Sequence, residues 1–140
     1  GGNTPCLELR AGAGRRLVLD AGTGIRGLGA ALTADGTCPP RVDLLVTHAH
    51  ADHVQGLPFF APLMRPGTDV VLHVGEPVLD AVRDAVRLHL LPPVFPVPEG
   101  ALPGRLVFAP LDPAAEATVA GFVVHPVAVA HPGGAYGFRI

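Results

Sequence analysis

Serine, lysine and tryptophan are absent from this 140-residue chain, and tyrosine occurs once. The lack of serine excludes a serine nucleophile. The lack of lysine excludes a Schiff-base amine and the phosphate-gripping lysine of a P-loop. All ten basic residues are arginine, set singly except for Arg15-Arg16. No basic stripe results, so charge argues against nucleic acid as a partner. Only two cysteines occur, Cys6 and Cys38, far apart in the chain. They read as free thiols of a reducing compartment, which makes the cytoplasm the expected location. No apolar run approaches the roughly 20 residues that span a bilayer, and no signal peptide is visible, so no membrane partner is expected.

What is present describes a folded domain. Hydrophobic residues make up 49% of the chain and charged residues 16%, with a net charge of -2. Gly 18 and Pro 16 approach the fraction at which disorder becomes a concern, but the wealth of Val, Leu and Ile argues for a packed core. The length suits one domain over residues 1–140.

Strands are expected at Cys6–Leu9, Leu17–Asp20, Val42–Val46, Val70–Val74, Arg105–Leu111, Phe122–Ala130 and Tyr136–Ile140. Ile25–Leu32 carries apolar residues at 25, 28 and 32, one face of a helix. Val54–Phe60 suits a short helical turn. Pro77 opens a second helix whose inner face is 78, 79, 82, 86 and 90. Leu91–Pro98 holds four prolines and reads as an extended loop. The alternation implies an α/β fold.

The chemistry is concentrated in Thr47-His48-Ala49-His50-Ala51-Asp52-His53, directly after the Val42–Val46 strand. Strand ends are where α/β proteins place functional loops. Imidazole and carboxylate suit zinc and similar divalent metals. Residues two apart in an extended turn point the same way, so His48 and His50 can converge, with Asp52 and His53 aimed at a neighbouring position. Packing four ligand-type side chains together without a metal is costly.

This His-x-His-x-Asp-His segment resembles the signature of the metallo-β-lactamase fold superfamily. Gly1–Cys6, Leu19–Gly24, Gln55–Phe60 and His131–Gly134 resemble its phosphodiesterase-like branch. That branch includes phosphoribosyl cyclic phosphodiesterases and, more distantly, tRNA 3′-processing nucleases. The resemblance implies the first sheet and helices of an αββα sandwich. It implies His48, His50 and His131 on a first metal, and Asp52 and His53 on a second. Zinc or manganese would generate a hydroxide that attacks a small phosphodiester, with Asp52 also orienting the nucleophile.

Other residues have two readings each. Asp20 is either a carboxylate that fixes a metal-loop histidine or a turn former. Thr47 braces the loop or merely ends the strand. Gly22-Thr23-Gly24 reads as a tight turn rather than a phosphate cradle. His73, His89 and His125 read as structural or surface residues, and Phe59 and Phe60 as core.

Complete members of the superfamily continue further and supply a bridging Asp and a last His from their later half. The chain is therefore expected to represent the first part of the fold, with an uncovered apolar face that favours self-association, for example as a homodimer. The alternatives are a metal-binding fragment without catalysis, or a hydrolase of the same fold acting on a lactone, thioester or β-lactam.

Overall fold

The computed structural model describes residues 2–12, 14–97 and 99–140. Gly1 of the first motif and Pro98 of the proline-rich loop lie outside the described residues. The strands are β1 (Leu7–Ala11), β2 (Arg15–Leu19), β3 (Arg41–Val46), β4 (Asp69–Gly75), β5 (Arg105–Leu111), β6 (Ala117–Val119), β7 (Phe122–Val129) and β8 (Ala135–Arg139). The helices are α1 (Ile25–Leu32), α2 (Ala51–Val54) and α3 (Leu79–His89). β1 to β5 form one sheet in sequence order, and β6 to β8 form a second sheet of three strands. β1 pairs antiparallel with β2, and every other neighbour in the first sheet is parallel.

Alternation along the strands sorts the core into two layers. Val42, Leu44 and Val46 of β3 and Val70, Leu72 and Val74 of β4 face the helices, where Ile25, Val54, Val82 and Val86 are fully enclosed. Leu45 points the other way, onto Leu17, Leu111, Val119 and Val124, and joins the two sheets. Helices on one face and a second sheet on the other give the α/β arrangement expected of a partial metallo-β-lactamase fold. No helix is long and apolar enough to cross a membrane among the described residues.

Several boundaries differ from the sequence reading. Within the expected Val54–Phe60 turn only the 3-10 turn Leu57–Phe59 forms; α2 ends at Val54 and a second 3-10 turn, Ala61–Met64, follows, because Pro58 and Pro62 cannot supply the N–H groups of a continuous helix. Pro77 occupies a separate 3-10 turn, Glu76–Val78, and α3 starts after it. Phe60 is fully buried as expected, but Phe59 is 64% exposed. β6 was not foreseen. It joins β7 through Ala120 and Gly121, both at positive φ, a hairpin turn without the usual Asn-Gly or Asp-Gly signal.

The inter-sheet face of the first sheet contains a buried ion pair. His73 Nε2 lies 2.7 Å from Asp43 Oδ1, and Arg41 grips the same carboxylate with Nη2 at 2.7 Å. Burial alone would raise the Asp43 pKa, but the hydrogen bonds from His73 and Arg41 outweigh it and bring the pKa to about 2. An ordinary aspartate titrates near 4, so this carboxylate stabilises the fold fully above about pH 4. That contribution, about 2 kcal/mol, drains away as pH falls from about 4 to about 2. Urea unfolding at pH 7, 4 and 3 is expected to show this acid loss, and Asp43→Asn to flatten it. An unchanged acid slope in the variant contradicts the assignment.

Candidate metal centre

The loop that follows β3 is held by backbone hydrogen bonds from three directions. Asp20 N–H donates to Leu45 O (2.8 Å), Ala21 N–H to His53 O (2.7 Å) and Gly56 N–H to Ala21 O (2.8 Å). The turn after β2 therefore lies directly against the metal-type loop. The approach is close enough to require glycine. A Cβ at Gly22 would sit 2.3 Å from Asp52 O, and one at Gly56 would sit 2.1 Å from Gly22 O. These contacts explain Gly22-Thr23-Gly24 as a tight turn.

Asp20 is the brace of the loop. It adopts φ 58, a left-handed conformation that aspartate tolerates better than most residues. Its carboxylate is 9% exposed. Oδ1 accepts from Thr47 N–H (2.9 Å) and from the Thr47 hydroxyl (2.9 Å). Oδ2 accepts from His53 Nδ1–H at 2.8 Å. Because the Thr47 hydroxyl donates to Asp20, Thr47 Oγ1 is free to accept from His48 Nδ1–H at 2.9 Å. His131 Nδ1–H donates to Pro132 O at 2.8 Å. Three histidines are thereby fixed in the tautomer whose Nε2 carries the lone pair, the state a metal requires. Both residues with two sequence readings, Asp20 and Thr47, hold the loop.

His131 comes from a distant part of the chain. It follows β7 in a turn closed by Gly134 N–H to His131 O (3.0 Å), with Gly133 and Gly134 at positive φ. β8 then docks through Tyr136 N–H to Thr47 O (3.0 Å), immediately before His48. The ligand-type atoms of His48, His50 and His131 all lie within 4.8 Å of one another. The ring of His48 stands 4.6 Å from that of His50, 4.1 Å from that of His53 and 4.4 Å from that of His131. Burial, and then the neighbouring histidines, push the His48 pKa down, which favours the neutral imidazole.

Asp52 and His53 are not part of that trio. Their side chains meet beside it, with Asp52 Oδ2 3.4 Å from His53 Nε2. With Nδ1–H given to Asp20, the lone pair of Nε2 faces a carboxylate, an arrangement that a cation between them satisfies. The donor set therefore fits one three-histidine position and an adjacent Asp-His position.

The remaining histidines lie elsewhere. His73 is paired with Asp43, His89 Nδ1 bonds Ala85 O (2.8 Å), and the enclosed Nδ1 of His125 has no partner. Both cysteines are free, and burial, followed by the charges of Asp20 and Glu8, raises the Cys6 thiol to about 11. That thiol is no nucleophile at neutral pH.

A family model for the beta-lactamase superfamily domain matches residues 15–140. The chain belongs to the beta-lactamase superfamily. Within curated superfamily proteins it is similar to Ribonuclease Z of Bradyrhizobium sp. (strain ORS 278), 34% identical over 133 residues, covering 92% of this chain and 40% of the relative. It is also similar to Ribonuclease Z of Bradyrhizobium diazoefficiens, 40% identical over 84 residues, covering 57% of this chain and 27% of the relative. The chain thus spans well under half the length of either superfamily relative.

The brace can be tested apart from catalysis. Asp20→Asn keeps a residue suited to the left-handed backbone but removes the charge that holds His53 Nδ1–H. It is expected to weaken zinc binding on the order of 10–100-fold in competition with a chelating dye. Affinity within about twofold of wild type is expected only if Asp20 does not orient the ligands.

Proposed function

We propose that this chain carries residues of a metal-dependent hydrolase centre acting on phosphodiester bonds. His48, His50 and His131 would hold one divalent metal, and Asp52 and His53 a second, with zinc the first candidate and manganese the next. Such metals would act as Lewis acids and lower the pKa of water to about 7, providing a nucleophile in a chain without serine. The observation that carries this reading is the converging histidine trio, with Nδ1–H of His48 and His131 already committed to oxygen acceptors. Three histidine nitrogens are the kind of protein donor set that catalytic rather than structural zinc sites use, and would leave room for a water on the metal.

The chain's own residues have defined tasks in this scheme. Asp20 and Thr47 orient His53 and His48. Asp52, half exposed beside His53, would also accept a hydrogen bond from the attacking water and align it. The Pro132–Gly134 turn sets the position of His131.

The preference for phosphodiesters rests on the relatives, both named as ribonucleases. Their name extends the substrate class to RNA, against the expectation drawn from the missing basic stripe. A metal centre that grips the scissile phosphate does not itself need such a stripe.

The direct test is hydrolysis of bis(p-nitrophenyl) phosphate by the zinc- or manganese-loaded chain, with p-nitrophenyl acetate and a chromogenic cephalosporin in parallel. The phosphodiester is expected to be the preferred substrate. His50→Ala and Asp52→Ala are each expected to lower its turnover on the order of 100-fold or more. His89→Ala, outside the site, is expected to keep it. Preferred turnover of either ester-type substrate, or unchanged turnover in the His50 and Asp52 variants, contradicts the reading.

A further inference from the structure

At the start of α1 lies an open cleft of about 480 Å³, lined by Asn3, Thr23, Arg26, Gly27 and Ala30. Its lining adjoins the turn that positions the loop, because Thr23 directly follows Gly22 and bonds to Thr4. Thr4 Oγ1 accepts from Thr23 N–H (2.7 Å) and from Gln55 Nε2 (3.4 Å), linking the cleft to the residue two beyond His53. Gly22, next to Thr23, packs on the Asp52 carbonyl.

The backbone contributes no free donors at the start of α1. The N–H groups of Ile25, Arg26 and Gly27 turn inward to Gly22 O (3.0 Å), Thr23 O (3.3 Å) and Gly24 O (3.2 Å). The side chains differ. Thr23 Oγ1 accepts from Thr4 N–H (2.9 Å) and its hydroxyl donates to Asn3 Oδ1 at 3.5 Å, a bond that does not use the Asn3 amide nitrogen. Neither that nitrogen nor the exposed Arg26 guanidinium has a partner among the described residues. Most of the other arginines are engaged: Arg10 and Arg16 with Glu8, Arg41 with Asp43, Arg83 with Asp80, Arg105 with Asp69 and Arg139 with Glu116.

A guanidinium and an amide N–H₂, both donors and both unspent, lining one cleft select for an anion with several acceptor oxygens. We infer that this cleft holds the phosphate of a nucleotide neighbouring the scissile bond, so that Arg26 and Asn3 favour a polynucleotide strand over a substrate with a single phosphate. The inference rests on the phosphodiesterase reading and deepens it by naming a second contact along the strand. A guanidinium here also explains how a chain without a basic stripe engages RNA, through one placed cation rather than a charged surface.

The test is fluorescence anisotropy of a labelled hexa-adenylate on the full chain, measured as a function of salt. Arg26→Ala is expected to weaken binding about tenfold. It is also expected to reduce the slope of log K against log salt by about 0.7, the loss of one phosphate contact on a single strand. Arg26→Lys is expected to fall between the two. Arg65→Ala is the control. Arg65 is also exposed and without an ion-pair partner, but it precedes β4 at the end of the sheet opposite the metal-type loop. Its variant is expected to bind as wild type does. Equal weakening by both alanine variants, binding within twofold in Arg26→Ala, or displacement of the hexamer by equimolar inorganic phosphate would each overturn the inference. Strand binding with this signature but no hydrolysis of bis(p-nitrophenyl) phosphate would sink the hydrolase reading alone.

Discussion

A single buried carboxylate organises the metal-type end of this domain. Asp20 leaves β2 in a left-handed conformation and accepts from the Thr47 backbone, the Thr47 hydroxyl and His53 Nδ1. Each contact would be costly to lose, since a buried charge stripped of its hydrogen bonds is destabilising by several kcal/mol. The Thr47 hydroxyl passes the constraint on to His48. Two of the histidines that face the centre are thus set by one residue on a neighbouring strand. Strained backbone of this kind persists only where the surroundings over-determine it, and here they do: Asp20 and Ala21 N–H groups are tied to β3 and to α2.

The same economy holds for the packing. Gly22 and Gly56 allow the β2 turn and the segment after α2 to meet backbone to backbone, leaving no room for a methyl group. Gly75 does the same on β4, where the Tyr136 ring lies across it. Tyr136 in turn fixes β8 against Thr47 and brings in His131. The second sheet, though only three strands, therefore has a direct part in assembling the histidine trio. At the far face of the first sheet, the Asp43–His73–Arg41 group satisfies buried charge between the sheets and takes no part in the metal-type centre.

Much of this was legible from residue order. The compact His48–His53 segment declares its chemistry because so many ligand-type side chains in so few residues have no other economical use. The parallel strands declare themselves through continuous apolar runs buried on both faces. What stayed hidden depends on contacts distant in sequence. The left-handed backbone of Asp20 leaves no mark in a single sequence, and so its choice between brace and turn former stayed open. β6 is three residues long and joined by an Ala-Gly turn, beneath the threshold of any pattern. Phe59 and Phe60 are neighbours of the same type, and only the 3-10 geometry separates the exposed ring from the buried one. Arg26 lies on a helix surface where an unpaired cation is ordinary. Only the fold brings it to the same cleft as Asn3.

The proposed hydrolase centre depends on His48, His50 and His131 forming a metal position in this chain. The most direct measurement is zinc content per chain by mass spectrometry after reconstitution and dialysis, in wild type and in His50→Ala. At least one tightly held zinc per wild-type chain, lost in the variant, is the predicted result. No retained zinc in wild type, or the same content in both, would contradict it.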